Sequence, residues 1–271
     1  MLFRSGARSL AELEAFARRD LDILDYPVKP WLKPLRHASG AHVYDVIVLG
    51  AGHTGICAAA ALVREKITNI TVLDENTAGE EGPWATYARM PDLRTRKSVT
   101  GAELGYASIT YRAYFEARFG AAAYAKLQRI TCEEWVSYLQ WLRRMFDLPV
   151  ENGVKVDTFE PEGALFRLAG RRNGKPETWY CRRLILASGP LSTGGTSIPE
   201  AIVAGLPRAK YGHVYDSHID FDALKGKSII MIGCGASGFD NSGTALESGA
   251  ARVDMLVRRP AIPRVSYIRW T

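Results

Sequence analysis

Two glycine-rich segments with the same layout constrain the fold of this chain more than any other feature. Each begins as an apolar run, passes through glycines at G-x-G-x-x-G spacing and continues with small residues at helical periodicity: VIVLGAGHTGICAAAALV and IIMIGCGASGFDNSGTAL. A buried strand, a tight turn and a helix in this order are the parts of a dinucleotide-binding unit. One match is weak evidence in a chain with 25 glycines, but two matches in the same context favour two dinucleotide sites.

The first segment has a separate physical use for each of its glycines, which are Gly50, Gly52 and Gly55. They allow a tight turn, a close approach of the backbone to a pyrophosphate, and close packing of the helix on the strand. A second strand is expected over 70–74, and it ends in Asp74, 19 residues beyond the third glycine. The spacing predicts that this carboxylate binds the ribose hydroxyls of an adenosine.

The second segment repeats this arrangement with one change. Its glycines are Gly233, Gly235 and Gly238, and the strand that follows the helix leads to Arg258 and Arg259. An arginine at the position of the ribose-binding acid would pair with a 2′-phosphate. The second site is therefore predicted to prefer NADP to NAD, with Arg258 as the first choice of partner and Arg259 as the alternative.

Composition excludes several other classes of protein. The net charge is +6, but the basic residues are scattered in pairs among acidic ones, which argues against a nucleic-acid partner. No apolar run approaches the roughly 18 residues of a membrane span. The four cysteines (Cys57, Cys132, Cys181 and Cys234) have neither C-x-x-C nor metal-ligand spacing, so we expect no metal site and a reducing, cytoplasmic setting.

Further motifs give the chain a resemblance to the flavin-dependent monooxygenase group of two-dinucleotide-binding flavoproteins. EEGPW supplies Gly82 and Trp84 of the group's G-G-x-W turn, with Glu81 in place of the first glycine. RRLILASGP resembles the strand that links the two domains, and a GK pair enters the second glycine segment. The resemblance implies that FAD binds the first glycine loop and NADPH the second.

The resemblance also implies the reaction. NADPH would reduce the flavin, and a flavin C4a-peroxide formed with O₂ would transfer oxygen to a small organic substrate. The segment 87–105, with Arg94, Arg96 and Lys97, would lie near the flavin, or it is a solvated loop. His213 is the tentative catalytic residue, because YGHVYDSHIDF resembles part of the Baeyer–Villiger fingerprint without satisfying its full spacing.

The expected fold class is α/β, with two Rossmann-like dinucleotide-binding units for FAD and NADP. Short alternating runs over 154–188 predict an antiparallel β meander inserted in the first unit. The expected domains are an N-terminal helical arm over 1–43, an FAD-binding domain over 44–205 and an NADP-binding domain over 206–271. Capping-box patterns predict helices that begin after Ser9 and after Thr131.

Other functions remain open. A flavin reductase of the disulfide or ferredoxin type uses the same two loops, although the chain lacks a paired dithiol. A non-catalytic flavoprotein that senses NADP(H) is a third possibility. The second unit contains only two evident strands before Thr271, so we also expect the chain to be an incomplete record of a longer polypeptide.

Overall fold

The computed structural model describes residues 6–98, 102–192 and 194–262. It divides into two compact units. The first unit runs up to Ala85 and resumes over Pro91–Gly195, whereas the second combines Thr86–Met90 with the chain from Thr196 onward. Two of the expectations refer to residues outside this range. These are residues 99–101 of the basic segment and the end of the chain at Thr271.

The helices of the first unit are α1 (Leu10–Ile23), α2 (His53–Arg64), α3 (Tyr111–Phe119), α4 (Ala121–Lys126) and α5 (Cys132–Met145). Its strands are β1 (Val43–Leu49), β2 (Ile70–Leu73), β3 (Val150–Glu151), β4 (Val154–Glu162), β5 (Leu165–Arg172) and β6 (Lys175–Leu186). The second unit contains α6 (Glu200–Val203), β7 (Ser228–Ile232), α7 (Ala236–Glu247) and β8 (Arg252–Leu256).

The six strands of the first unit form one mixed sheet in the order β3-β2-β1-β6-β5-β4. The first four in this order run parallel, with Ile47 of β1 opposite Thr71 of β2 and Leu184 of β6. The strands β4, β5 and β6 pair antiparallel. The α/β class and the inserted antiparallel meander are therefore confirmed.

The core of the first unit follows from its apolar patterns. Strand β1 is buried at six of its seven residues, as expected for a parallel strand covered on both faces. The apolar residues at helical spacing in and directly after α5 are buried as well, namely Trp135, Tyr138, Leu139, Leu142 and Phe146. On α1, Leu13 and Ala17 are buried, but Phe16 and the C-cap residue Leu24 are exposed.

Three of the longer helices have hydroxyl caps. Ser9 Oγ accepts from the N–H of Glu12 at the start of α1, and Thr131 Oγ1 accepts from the N–H of Glu134 at the start of α5. Thr110 Oγ1 caps α3 in the same way by accepting from Ala113. Both helix starts that the capping boxes predict are confirmed. No helix in the described part of the chain is long and apolar enough to cross a membrane.

The second unit is built on a parallel strand–helix–strand motif. Strand β7 pairs with β8 in register from Ser228 opposite Arg252 to Ile232 opposite Leu256, and α7 connects them. The short segment 86–90 joins this unit through Arg89. The Arg89 guanidinium lies over the Phe221 ring and donates to the carbonyl oxygen of Asp216 at 3.0 Å.

Candidate functional site

The first glycine loop begins directly after β1 and leads into α2. Gly50 has a φ of +98°, and its N–H donates to the carbonyl of Leu73 at 2.8 Å. A Cβ on Gly50 would lie 2.5 Å from the carbonyl oxygen of Ala187, and one on Gly55 would lie 1.8 Å from that of Gly50. These two glycines are therefore required by the packing of the chain on itself.

Gly52 has a different environment. A Cβ on Gly52 would meet only the backbone of Gly82, at 3.4 Å from its Cα, and Gly82 has a φ of +80°. A Cβ on Gly82 would in turn lie 3.3 Å from the Cα of Gly52. The backbones of Gly52 and Gly82 thus lie against each other, and both glycines are partly exposed. A surface of two adjacent backbones without side chains suits a group that must approach the backbone closely, as a pyrophosphate does.

The helix that begins at Gly52 has no side-chain cap. Gly52 is the N-cap of α2 and makes no side-chain cap hydrogen bond. The hydroxyl-capped helices α1, α3 and α5 satisfy one of these N–H groups internally. The uncapped turn leaves backbone donors, together with the partial positive charge of the helix, for an anionic ligand.

Asp74 lies at the carboxyl end of β2 and is only 6% exposed. Its Oδ2 accepts from the N–H of Ala51 at 2.7 Å, and its Oδ1 accepts from the N–H of Asn76 at 2.9 Å. The carboxylate thus holds the glycine loop on the second strand. Its contact with ribose hydroxyls stays a prediction. The lone pair left on Oδ2 would permit a hydrogen bond from such a hydroxyl.

Aromatic rings line the region next to the glycine loop. The ring of His53, the first residue of α2, lies 6.0 Å from that of Trp84 and 5.4 Å from that of Trp135. Burial lowers the pKa of the His53 imidazole, and the Glu103 carboxylate acts in the opposite direction. His53 is a candidate site residue that sequence reasoning missed, since a position between two loop glycines carries no signal of its own.

The three basic residues singled out in segment 87–105 have different surroundings in the structure. Lys97 Nζ donates to the carbonyl of Tyr124 at 2.6 Å and lies over the ring of the same residue, so it helps to hold the chain on α4. Arg94 and Arg96 are exposed. The contact of Arg94 with the cofactor stays a prediction.

The second glycine loop follows β7 and opens α7. The N–H of Gly233 donates to the carbonyl of Leu256 at 2.9 Å, and a Cβ on Gly238 would lie 2.8 Å from the Gly233 carbonyl oxygen. A Cβ on Gly235 would have no atom within 4 Å. Helix α7, like α2, lacks a side-chain cap. The local geometry repeats that of the first loop, without a second backbone facing the middle glycine among the described residues.

The predicted 2′-phosphate partners follow β8 at the same edge of the two-stranded sheet. Arg258 comes two residues after Leu256, whose carbonyl is bonded to the glycine loop. Both Arg258 and Arg259 are exposed. They are thus free of the core of the second unit, and their role as cofactor ligands stays a prediction.

His213 lies in a loop whose backbone it helps to fix. Its Nδ1 accepts from the N–H of Tyr215 at 3.2 Å, and its own N–H donates to the Asp216 carboxylate at 2.8 Å. The rings of His213 and Tyr215 are 5.3 Å apart. These contacts describe a loop-forming role, and a catalytic role stays a prediction.

The cysteines form no disulfide in the structure. Cys132, Cys181 and Cys234 are buried, and Cys57 is half-buried in α2. Burial raises the pKa of Cys57 and that of Cys181 to about 11. Thiols in this state are poor nucleophiles at neutral pH.

Sequence comparison identifies relatives over most of the chain. Residues 47–268 match the model of the family described as pyridine nucleotide-disulphide oxidoreductase. The FAD-dependent urate hydroxylase of Xanthomonas campestris pv. campestris is 44% identical over 263 residues. That alignment covers 96% of this chain and 54% of the hydroxylase, so the chain spans about half the length of this curated relative.

Solved structures share the fold at low sequence identity. The cadaverine monooxygenase of desferrioxamine biosynthesis from Erwinia amylovora, bound to FAD, matches with a TM-score of 0.64 at 17% identity, over 83% of this chain and 54% of that protein. The bacillithiol disulfide reductase of Staphylococcus aureus matches with a TM-score of 0.60 at 18% identity, over 81% and 60% of the two chains. At these identities the matches establish the fold alone.

Proposed function

The chain belongs to the pyridine nucleotide-disulphide oxidoreductase family, and from that premise we propose that it is an FAD-dependent, NADPH-using monooxygenase that hydroxylates a small organic substrate. The observation that carries the proposal is the contact between the backbones of Gly52 and Gly82 at the start of α2, a helix without a side-chain cap. The curated relative at 44% identity is named for FAD and for hydroxylation, which supports the same assignment.

The residues of the first unit suit FAD from one end to the other. Asp74 would take the ribose, and the glycine loop with Gly82 would take the pyrophosphate on backbone N–H groups. Trp84, two residues beyond Gly82, would border the flavin ring together with His53. When bound, FAD would supply the redox chemistry, namely acceptance of hydride from NADPH and activation of O₂.

The second unit would provide the coenzyme site, so that the chain would hold two Rossmann-like dinucleotide-binding units, one for FAD and one for NADPH. Gly233, Gly235 and Gly238 would hold the NADPH pyrophosphate at the start of α7. Arg258 or Arg259 would select NADPH over NADH through the 2′-phosphate. The protein's own contribution to the reaction would be to bind the two dinucleotides, orient them and exclude water from the flavin.

Urate is the first substrate to test, because the 44% identical relative is named a urate hydroxylase. The experiment follows NADPH oxidation and O₂ uptake by FAD-loaded protein, with and without urate. We expect the two rates to match and to rise when urate is added, with a hydroxylated product detected by mass spectrometry. Urate-independent rates, with no hydroxylated product, would contradict the substrate assignment.

A disulfide reductase is the second candidate, because the family whose model matches residues 47–268 is described as pyridine nucleotide-disulphide oxidoreductase. It would oxidise NADPH without O₂ when given a low-molecular-weight disulfide. The buried thiols with raised pKa values speak against a reactive protein dithiol. The same assay run anaerobically with a disulfide separates the two candidates, and binding of both dinucleotides without turnover would point to an NADP(H) sensor.

A further inference from the structure

Glu81 stands where the resembled family has the first glycine of its G-G-x-W turn, and its side chain is only 9% exposed. The carboxylate is surrounded by donors. Its Oε1 accepts from Arg143 Nη1 and from Asn152 Nδ2, each at 2.8 Å, and its Oε2 accepts from the N–H of Gly79 at 2.8 Å. An unpaired carboxylate would be strongly unfavourable at this nearly buried position. The three donors therefore compensate its charge and hold the side chain in one place in the turn.

The two partners of Glu81 connect the turn to the sheet and to α5. Arg143 also donates from Nη2 to the Asn152 Oδ1 and to the carbonyl of Val150, both at 3.2 Å. Asn152 donates to the carbonyl of Asn76 at 3.1 Å. The loop between β2 and Gly82 is therefore held near its start, at Asn76, and near its end, at Glu81, by side chains from elsewhere in the first unit.

These bonds complete a closed path through the two glycines. Asp74 holds Ala51 of the glycine loop and also accepts from Asn76, whose carbonyl accepts from Asn152. Asn152 donates to Glu81, the neighbour of Gly82, and Gly82 lies against Gly52. Gly52 and Gly82 are thus tied to each other through side chains, and not only by the intervening chain.

We propose that Glu81, Arg143 and Asn152 are positioning residues that hold Gly82 against Gly52, so that the two backbones form one surface for the FAD pyrophosphate. The proposal rests on the proposed FAD site in the first unit. The three side chains act through the backbone of Gly82, and none of them needs to contact the cofactor. A displaced or mobile Gly82 would lose the simultaneous approach of two backbones to one pyrophosphate.

The test compares Glu81→Gln with a matched control. Glu116 on α3 also forms an ion pair, with Arg112 at 2.7 Å, and its side chain is 8% exposed, but it lies outside the path that joins Gly52 and Gly82. FAD affinity is measured by flavin fluorescence and the melting temperature is measured without FAD. We expect Glu81→Gln to weaken FAD binding about tenfold and Glu116→Gln to leave it unchanged, although both lower the melting temperature.

Two further measurements separate positioning from general stability. Adenosine lacks the pyrophosphate, so its affinity should be the same in wild type and Glu81→Gln. Asn152→Ala should weaken FAD binding in the same direction as Glu81→Gln, and it keeps the test usable if Glu81→Gln fails to fold. FAD affinity equal to that of wild type in a folded Glu81→Gln or Asn152→Ala variant would overturn the proposal, whereas a wild-type chain that binds no FAD would overturn the proposed function itself.

Discussion

The carboxylate of Asp74 accepts a hydrogen bond from the backbone N–H of Ala51 at 2.7 Å, so the end of the second strand holds the first glycine loop in place. The sequence predicts Asp74 as a ligand of ribose, and the structure gives it a second task. One side chain thereby links the shape of the loop to the proposed recognition of the adenosine. The same carboxylate should therefore affect both folding and cofactor binding.

Replacing Asp74 by alanine should lower the free energy of unfolding by about 1–3 kcal/mol, because the N–H groups of Ala51 and Asn76 lose their acceptor. FAD affinity should fall as well. Urea unfolding without FAD and a fluorescence titration with FAD measure the two effects. Asp157→Ala, on the exposed meander, is the control and should change neither by much. Unchanged stability in Asp74→Ala would show that its bonds do not hold the loop.

Replacing Gly52 by alanine should abolish FAD retention and leave the melting temperature of the FAD-free protein nearly unchanged. Its Cβ would make only an ordinary contact at 3.4 Å with Gly82, yet it would keep the pyrophosphate from approaching the backbone there. Gly55→Ala is the contrasting variant, since its Cβ would lie 1.8 Å from a backbone oxygen and should destabilise the fold. Stoichiometric FAD in purified Gly52→Ala would remove the first loop from the proposed site.

Replacing Arg258 by alanine should raise the KM for NADPH about tenfold or more and leave the KM for NADH nearly unchanged, because the 2′-phosphate loses a charge-assisted partner. Steady-state kinetics of FAD-loaded protein with each coenzyme measure this selectivity. Arg259→Ala is the natural companion variant. If it shows the larger effect, Arg259 is the selecting residue, and equal changes for both coenzymes in both variants would argue against a 2′-phosphate site.

FAD affinity should rise as the pH falls from about 8 to about 6, through His53. Burial lowers the pKa of this imidazole in the free protein, so it is largely neutral at pH 7. A pyrophosphate bound at the start of α2 would favour the protonated ring and raise its pKa, so that binding takes up a proton and is tighter at lower pH. Dissociation constants measured across this range should lose their pH dependence in His53→Asn. A flat wild-type profile would contradict the expectation.

The cysteines should react slowly with a thiol reagent such as DTNB at pH 8. Cys57 and Cys181 have pKa values of about 11, so the thiolate fraction is small and should grow about tenfold for each pH unit up to that value. Reaction in urea should be fast for all four residues. Rapid modification of one pair of cysteines in the folded protein would support the disulfide reductase as the function.

The parts of the site that could be predicted from sequence are those whose signal is local. The glycine spacing predicts a strand, a turn and a helix. A hydroxyl cap such as Thr131 marks the start of a helix through a pattern that spans only four residues. The bond between Glu81 and Arg143 joins residues 62 positions apart, on a turn and on a helix face, and no short pattern encodes it. The only hint was negative, namely that Glu81 occupies the place of a glycine.

Segment 86–90 belongs with the second unit although the chain on both sides of it belongs with the first. The backbone therefore passes between the units three times, after Ala85, after Met90 and after Gly195. The two units therefore do not correspond to two consecutive stretches of the chain. A second unit excised from Thr196 onward would leave the carbonyl of Asp216 without the Arg89 guanidinium. An exchange of the second unit for that of a relative would have to carry these five residues along with the unit they complete.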